Sequence, residues 1–342
     1  MNTKKMLVLL GTLILAAVLI TACGGKPEPG PAGPAGPAGP AGPQGESGPA
    51  LTTADITCTE CHNDTSLISS KRASWEESLH GSGTAFIEEG GNKSCAFCHS
   101  GSIFSQSVAA GLSFDKVESG DANPTHQDCR TCHQIHTTYT SADWALETNA
   151  PVAQVISGLT FDGGAGNLCA NCHQARRYMA NFVDKTDATK YTATTPRFNT
   201  HLSVQGDILL GSGGFGVEGK PGAHYSKVED TCVGCHMGGG DVANHRMEPQ
   251  ITKCQECHAD AENYDINGAV TAIEARIEEL KVALQAKGLL DAEGVVVPGT
   301  WDEATATAIW NYEVMEEDAS NGVHNPGYYN ALLDASFAAL GE

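Results

Sequence analysis

Positive charge is scarce in this chain of 342 residues: 20 Lys and Arg stand against 41 Asp and Glu, for a formal net charge of -21. That balance argues against nucleic acid as a partner and favours basic protein faces. Aromatic residues are also few, at 6%, so the composition predicts a chain short of the side chains that build an ordinary hydrophobic core. One apolar run of note occurs, Met6 to Ile20, and it is shorter than the ~20 residues that cross a bilayer. Cysteine is present, 13 in all, yet none is available for an internal disulfide. Twelve fall in six copies of one short pattern, and the thirteenth is Cys23.

That pattern is Cys-x-x-Cys-His. Its copies are Cys58/Cys61/His62, Cys95/Cys98/His99, Cys129/Cys132/His133, Cys169/Cys172/His173, Cys232/Cys235/His236 and Cys254/Cys257/His258. Two thiols at this spacing form thioethers with the two vinyl groups of one haem, and the adjoining His reaches the iron. A single copy would equally suit a redox dithiol or half of a zinc site. Six copies point to six covalently bound c-type haems. The macrocycles would supply apolar surface that the side chains lack, so folding is expected to depend on haem attachment.

The N-terminal region reads as export machinery and a spacer. Lys4 and Lys5 precede the apolar run, which closes on Ile20-Thr21-Ala22-Cys23. These are the parts of a signal peptide over residues 1–22, and the last four residues look like a bacterial lipobox, with Cys23 as the lipidated residue. Cleavage removes two lysines, taking the formal charge from -21 to -23. The residue after Cys23 is Gly24 rather than Asp; in lipoproteins of Gram-negative cells this resemblance implies sorting to the outer membrane, on its periplasmic face or at the cell surface. Within the segment 23–50, glycine recurs at positions 30, 33, 36, 39, 42, 45 and 48, mostly followed by proline. This collagen-like pattern suits either a short triple helix, and hence a trimer, or a stiff tether. We favour the tether, which at roughly 3.1 Å per residue reaches about 80 Å.

All six motifs lie in residues 51–262, with 37, 34, 40, 63 and 22 residues between successive first cysteines. No fixed period exists. Glycine-rich pieces such as Gly211 to Gly216 predict loops, with short helical turns carrying the motifs. Arg176 and Arg177 suit either haem propionates or a solvated surface. Residues 263–342 differ in texture. Ile266, Val270, Ile273, Ile277, Leu280 and Leu284 predict a helix over about 266–287. A second is expected over 302–317, and a third after Pro326. The expected fold is mainly α with extensive irregular loops, built around packed haems and closed by C-terminal helices.

Six irons need six distal ligands, and seven histidines lie outside the motifs: His80, His126, His136, His201, His224, His245 and His324. His80, His201, His224 and His245 are expected as distal ligands. His136 sits too close to His133 to fold over the same haem, so it is assigned to a neighbouring one. His126 is taken as the spare. Methionines such as Met179, Met237 and Met247 are then unnecessary.

At these residues the chain resembles the multihaem c-type cytochromes related to cytochrome c nitrite reductase and octahaem hydroxylamine oxidoreductase. The motifs carry one part of the resemblance. The other is Asn311 to Asp318 followed by Ser320-Asn321-Gly322-Val323-His324-Asn325-Pro326; the group has a similar His-Asn-Pro turn that supplies an axial His, which implies that role for His324. The nitrite reductases typically bind a catalytic haem through Cys-x-x-Cys-Lys, and this chain has no such site. An electron-transfer protein of anaerobic respiration or extracellular electron transfer is therefore expected. Its partners would be other cytochromes or membrane electron-transfer complexes. Two alternatives remain: a reductase of a small nitrogen or sulfur oxyanion at one open haem, and an assembly role as a trimer or filament.

Overall fold

A computed structural model describes residues 66–238 and 244–341. The signal sequence, Cys23, the collagen-like tract and the first motif, Cys58/Cys61/His62, lie outside the described residues. In the first two thirds, glycines and Asx turns break the chain into short pieces. The helices there are α1 (Ser66–Glu76), α2 (Leu79–Ser82), α3 (Ala85–Glu89), α4 (Ala96–His99), α5 (Gly101–Ala109), α6 (Cys129–Cys132) and α7 (Asn167–Ala170). They are followed by α8 (Gln205–Leu210), α9 (Ala223–Lys227), α10 (Cys232–His236) and α11 (Ile251–Gln255). The strand pair β1 (Val152–Ala153) and β2 (Thr160–Phe161) is antiparallel.

The last third is regular. Helix α12 (Ala269–Ala286) buries Ile273, Ile277, Leu280 and Leu284, one stripe at helical spacing. Helix α13 (Glu303–Asp318) starts where the Asp302 carboxylate accepts from Thr305 N at 2.8 Å. Helix α14 (Pro326–Leu340) has Pro at its first turn, with the Asn325 side chain accepting from Tyr328 N at 3.2 Å. All three expected C-terminal helices form, the first starting at Ala269 because Gly268 sits at φ 75 and Asn267 at φ 53. None of the described helices is long and apolar enough to cross a membrane.

This third is fastened to the motif region along two lines. Strand β3 (Lys190–Ala193) pairs antiparallel with β4 (Gly299–Asp302), aligning Tyr191 with Trp301. Asn325 Nδ2 donates to Ile208 O at 3.1 Å and Lys220 O at 2.9 Å, and Trp310 Nε1 donates to Gly213 O at 2.8 Å. Between these lines lies a side-chain core in which Phe198 packs edge-on against Trp301 and Trp310, with ring centroids 5.1 and 5.4 Å away. Val204, Ile208, Leu280, Tyr329 and Leu332 complete its centre. The composition predicts a chain short of such a core, and the structure corrects that expectation. The few aromatics are concentrated here, and burying one such ring removes about 150–250 Å² from water, worth at most ~4–6 kcal/mol.

Two smaller apolar clusters sit at the motifs. Phe97, Phe104 and Leu168 pack with Cys98, Cys132 and Cys172. Val152, Phe161, Ala170, Leu209 and Leu210 pack with Cys232. These four attachment thiols are thus built into apolar surroundings.

Candidate functional site

Each described motif rides on a short helical turn. In four of them the N–H of the motif His donates to the carbonyl of the first Cys: His99 to Cys95 at 3.0 Å, His133 to Cys129 at 2.9 Å, His173 to Cys169 at 2.9 Å and His258 to Cys254 at 2.7 Å. In the fifth, Cys232, Cys235 and His236 all lie within α10. A helical turn puts residues three apart on one face, so each turn presents two thiols and an imidazole together. No disulfide joins any of the described cysteines. Among the described residues, no group of three or more His, Cys, Asp and Glu is arranged to hold a bare metal ion. The Cys pairs therefore do not converge into zinc sites there.

Two attachment thiols are more exposed than the rest. Cys257 is exposed, and so is Cys129, whereas the other described cysteines are at least partly buried. The local turn at Cys257 is intact, its N–H donating to Cys254 O at 3.1 Å. Cys257 follows the five-residue helix α11 in a stretch, residues 255–260, that is exposed throughout. At Cys129 the cause is its place at the first position of α6, beside the exposed Arg130.

The motif histidines face histidines from elsewhere in the chain. Ring centroids are 6.2 Å apart for His80 and His173, 6.3 Å for His99 and His201, and 6.3 Å for His133 and His245. They are 6.4 Å apart for His224 and His258, and 6.4 Å for His236 and His324. Direct ring stacking does not account for one spacing recurring at interplanar angles from 33° to 77°. A shared ion does. Metal–nitrogen bonds of about 2.0–2.1 Å on opposite sides of one ion, plus about 1.2 Å from each nitrogen to its ring centre, set the centroids about 6.4 Å apart. The residues fit one iron between each pair.

Hydrogen bonds at Nδ1 leave Nε2 for that role. His133 meets Trp144 O at 2.7 Å, His236 meets Met247 O at 2.8 Å, and His224 meets Val323 O at 2.5 Å. His173 meets Gln205 Oε1 at 3.1 Å, and His324 meets Asp318 Oδ1 at 2.7 Å. A ligating imidazole is usually oriented by such a bond at its second nitrogen. Burial reinforces the neutral form. It lowers His80 to about 4, with His173 adding to the effect, and His201 to about 4, with Arg176 and Arg177 adding. His99, His173 and His236 are lowered by burial as well. At His324 burial acts downward, but the Asp318 carboxylate outweighs it and holds this ring above the usual value.

Neighbouring motifs touch. The Cys98 and Cys172 side chains interact, as do those of Cys169 and Cys232. Cys132 lies near both Cys169 and Cys172, and Cys235 lies near Cys254. The motif at Cys169 is thus the junction, joined to those at Cys95, Cys129 and Cys232. Among the described motifs, the one at Cys254 has such a link to the motif at Cys232. Gly206 makes part of this junction possible: its N–H donates to His173 O at 2.9 Å, and a Cβ there would stand 2.8 Å from that oxygen.

The structure therefore brings together five of the six histidines expected as distal ligands with five motif histidines. His136 and His126 stand outside these pairs. His136, at φ 66, stacks on Tyr139 with centroids 5.5 Å apart. The His126 ring lies 4.0 Å from Phe86 and 5.9 Å from Trp75, with Nδ1 at 3.2 Å from His80 O. Arg197 enters the site without having been singled out in the sequence, and Gln205 and Asp318 without a role assigned to them there. Asp318 had a usable signal, six residues before His324; the carbonyls of Trp144, Val323 and Met247 had none.

Beside His99 and His201 lies a cavity of about 240 Å³ lined by Glu89, Cys95, Arg176, Arg177 and Arg197. Arg176 donates to Ser94 O at 2.6 Å, and Arg177 to Arg197 O at 3.0 Å and Asn199 Oδ1 at 2.5 Å. These acceptors are uncharged.

No family model and no curated protein sequence matches the chain. Among solved structures it is similar to the outer cell wall cytochrome OcwA, with a TM-score of 0.50 at 21% identity, over 79% of this chain and 50% of that one. The undecahaem cytochrome from the S-layer of Carboxydothermus ferrireducens gives a TM-score of 0.44 at 18% identity, over 78% of this chain and 40% of that one. The chain spans about half the length of OcwA. At that identity the likeness is one of fold: a mainly α, loop-rich architecture shared with a cytochrome.

Proposed function

We propose that this chain is a hexahaem c-type cytochrome that passes electrons along closely spaced bis-His haems, in anaerobic respiration or extracellular electron transfer. The observation that carries this reading is the recurrence of one His–His separation, 6.2 to 6.4 Å, at five motifs. Each haem, when bound, supplies a one-electron Fe(III)/Fe(II) couple. The chain's residues do the rest. Cys95/Cys98, Cys129/Cys132, Cys169/Cys172, Cys232/Cys235 and Cys254/Cys257 anchor five groups. Each ring pair would hold the iron of its group, and the bonds at Nδ1 fix ring orientation. Interacting thiols of different motifs make the groups neighbours.

For the sixth group, Cys58, Cys61 and His62 are the attachment residues. His136 is the distal ligand we assign to it, and His126, packed between Phe86 and Trp75, is the spare. Cys23 carries lipid and holds the protein to a membrane, with residues 24–50 as tether. The likeness of fold to an outer cell wall cytochrome supports a place outside the cytoplasm. The net charge of -21 suits docking on basic faces of redox partners, which high salt would weaken.

The deciding experiment is haem quantification and EPR on one sample of oxidised holo-protein. Six haems, all low-spin, are expected. A stoichiometric high-spin signal would replace this reading with a reductase acting at an open haem. Membrane fractionation of Cys23→Ser tests the anchor, and sedimentation with and without residues 24–50 tests the trimer.

A further inference from the structure

We propose that the relay is graded in potential, with the site of His99 and His201 more oxidising than the site of His236 and His324. This rests on the haem reading above. The two sites flank the same junction, since Cys98 interacts with Cys172 and Cys232 with Cys169. Their surroundings carry opposite charge.

At the first site three guanidiniums, Arg176, Arg177 and Arg197, line the cavity beside the two rings against one carboxylate, Glu89. Arg176 and Arg177 bond uncharged oxygens, and none of the three forms an ion pair within the described residues. Reduction adds one electron to the iron, and nearby positive charge favours that state. The guanidiniums also match carboxylates in shape, so they are placed to hold the haem propionates and cancel their charge. The buried carboxyls that face Arg177, Glu313 and Glu317, are both raised by burial, which weakens their claim on its charge.

At the second site the distal imidazole leans on a carboxylate. His324 Nδ1 donates to Asp318 Oδ1 at 2.7 Å, and Asp318 Oδ2 is held by Tyr329 Oη at 2.7 Å and Ser320 Oγ at 2.5 Å. A carboxylate behind a ligating imidazole makes it a stronger donor and favours the ferric state. Among the described Nδ1 contacts of the five pairs, this is the one made to a carboxylate. The others go to uncharged oxygens.

The test is an EPR-monitored redox titration of holo-protein, with haem content measured on each sample. Ring planes cross at 65° at the first site and 42° at the second, so the two ferric signals differ in anisotropy and can be followed separately. Arg176→Gln/Arg177→Gln/Arg197→Gln should shift reduction of one strongly anisotropic component at least tenfold toward the oxidised form, about 59 mV downward. Arg197→Gln alone, at an exposed side chain, should give a smaller shift of the same sign and leave the fold intact. Asp318→Asn should move a more rhombic component the other way. Unchanged or reversed shifts with six haems present overturn the gradient. A wild-type protein without six low-spin haems overturns the haem reading instead.

Discussion

His173 Nδ1 meets Gln205 Oε1 at 3.1 Å. The same glutamine's Nε2 donates to Glu317 O at 3.1 Å, so one side chain ties the junction motif to the C-terminal end of α13. Gln205→Leu removes both bonds and leaves a half-buried imidazole N–H and a helix-end carbonyl without them. An unfolding free energy lower by about 1–3 kcal/mol is expected, measured by urea titration of holo-protein. The low-spin EPR signal of this pair should broaden as the ring loses its orientation.

The ferric EPR spectrum should contain two classes of low-spin signal. Perpendicular imidazole planes leave two iron d orbitals nearly degenerate and give strongly anisotropic signals, whereas more nearly parallel planes separate them. The planes cross at 72°, 65° and 77° for His80/His173, His99/His201 and His224/His258. They cross at 33° and 42° for His133/His245 and His236/His324. At least three strongly anisotropic and two more rhombic components should appear, and a spectrum of one class would contradict the pairing.

Stability should fall as pH rises from about 4.5 to about 8. Burial pushes Glu313 from 4.5 up to about 8, and Glu317 and Glu316 reinforce it against the Asn199 hydrogen bond. The folded state then holds a proton in that window that the unfolded chain has released. Its contribution is complete below the unfolded value and is lost on approach to the folded one. Glu317 acts in the same direction. Thermal midpoints at pH 5 and pH 8 should differ less in Glu313→Gln than in wild type.

Trp310→Ala should cost about 3–5 kcal/mol, because Trp310 is fully buried and its Nε1 holds Gly213 O. Denaturant midpoints check this.

How much of this was legible in the chain differs from element to element. The stripe Ile273, Ile277, Leu280 and Leu284 announces α12, and Pro326 after Asn325 announces the start of α14, because periodicity and capping are local. The core was misjudged from composition, since an average over 342 residues hides a clustering of Trp301, Trp310, Tyr312, Tyr328 and Tyr329 against Phe198. Distal candidates could be counted, but the partners lie 93 residues apart for His80 and His173 and 102 for His99 and His201. No local pattern spans such distances.

The sequence by itself determined the attachment chemistry, because Cys-x-x-Cys-His is a local spacing that one helical turn converts into two thiols and an imidazole on one side. It also determined the supply of candidate distal ligands, since those residues can be counted. Only the tertiary structure decided which ring faces which, that the Cys169 motif is the junction, and that guanidiniums stand beside one pair and a carboxylate behind another. Those relations depend on how remote segments pack, through β3 on β4, Asn325 on Ile208 and Gln205 on Glu317. Packing over such separations is a property of the whole fold.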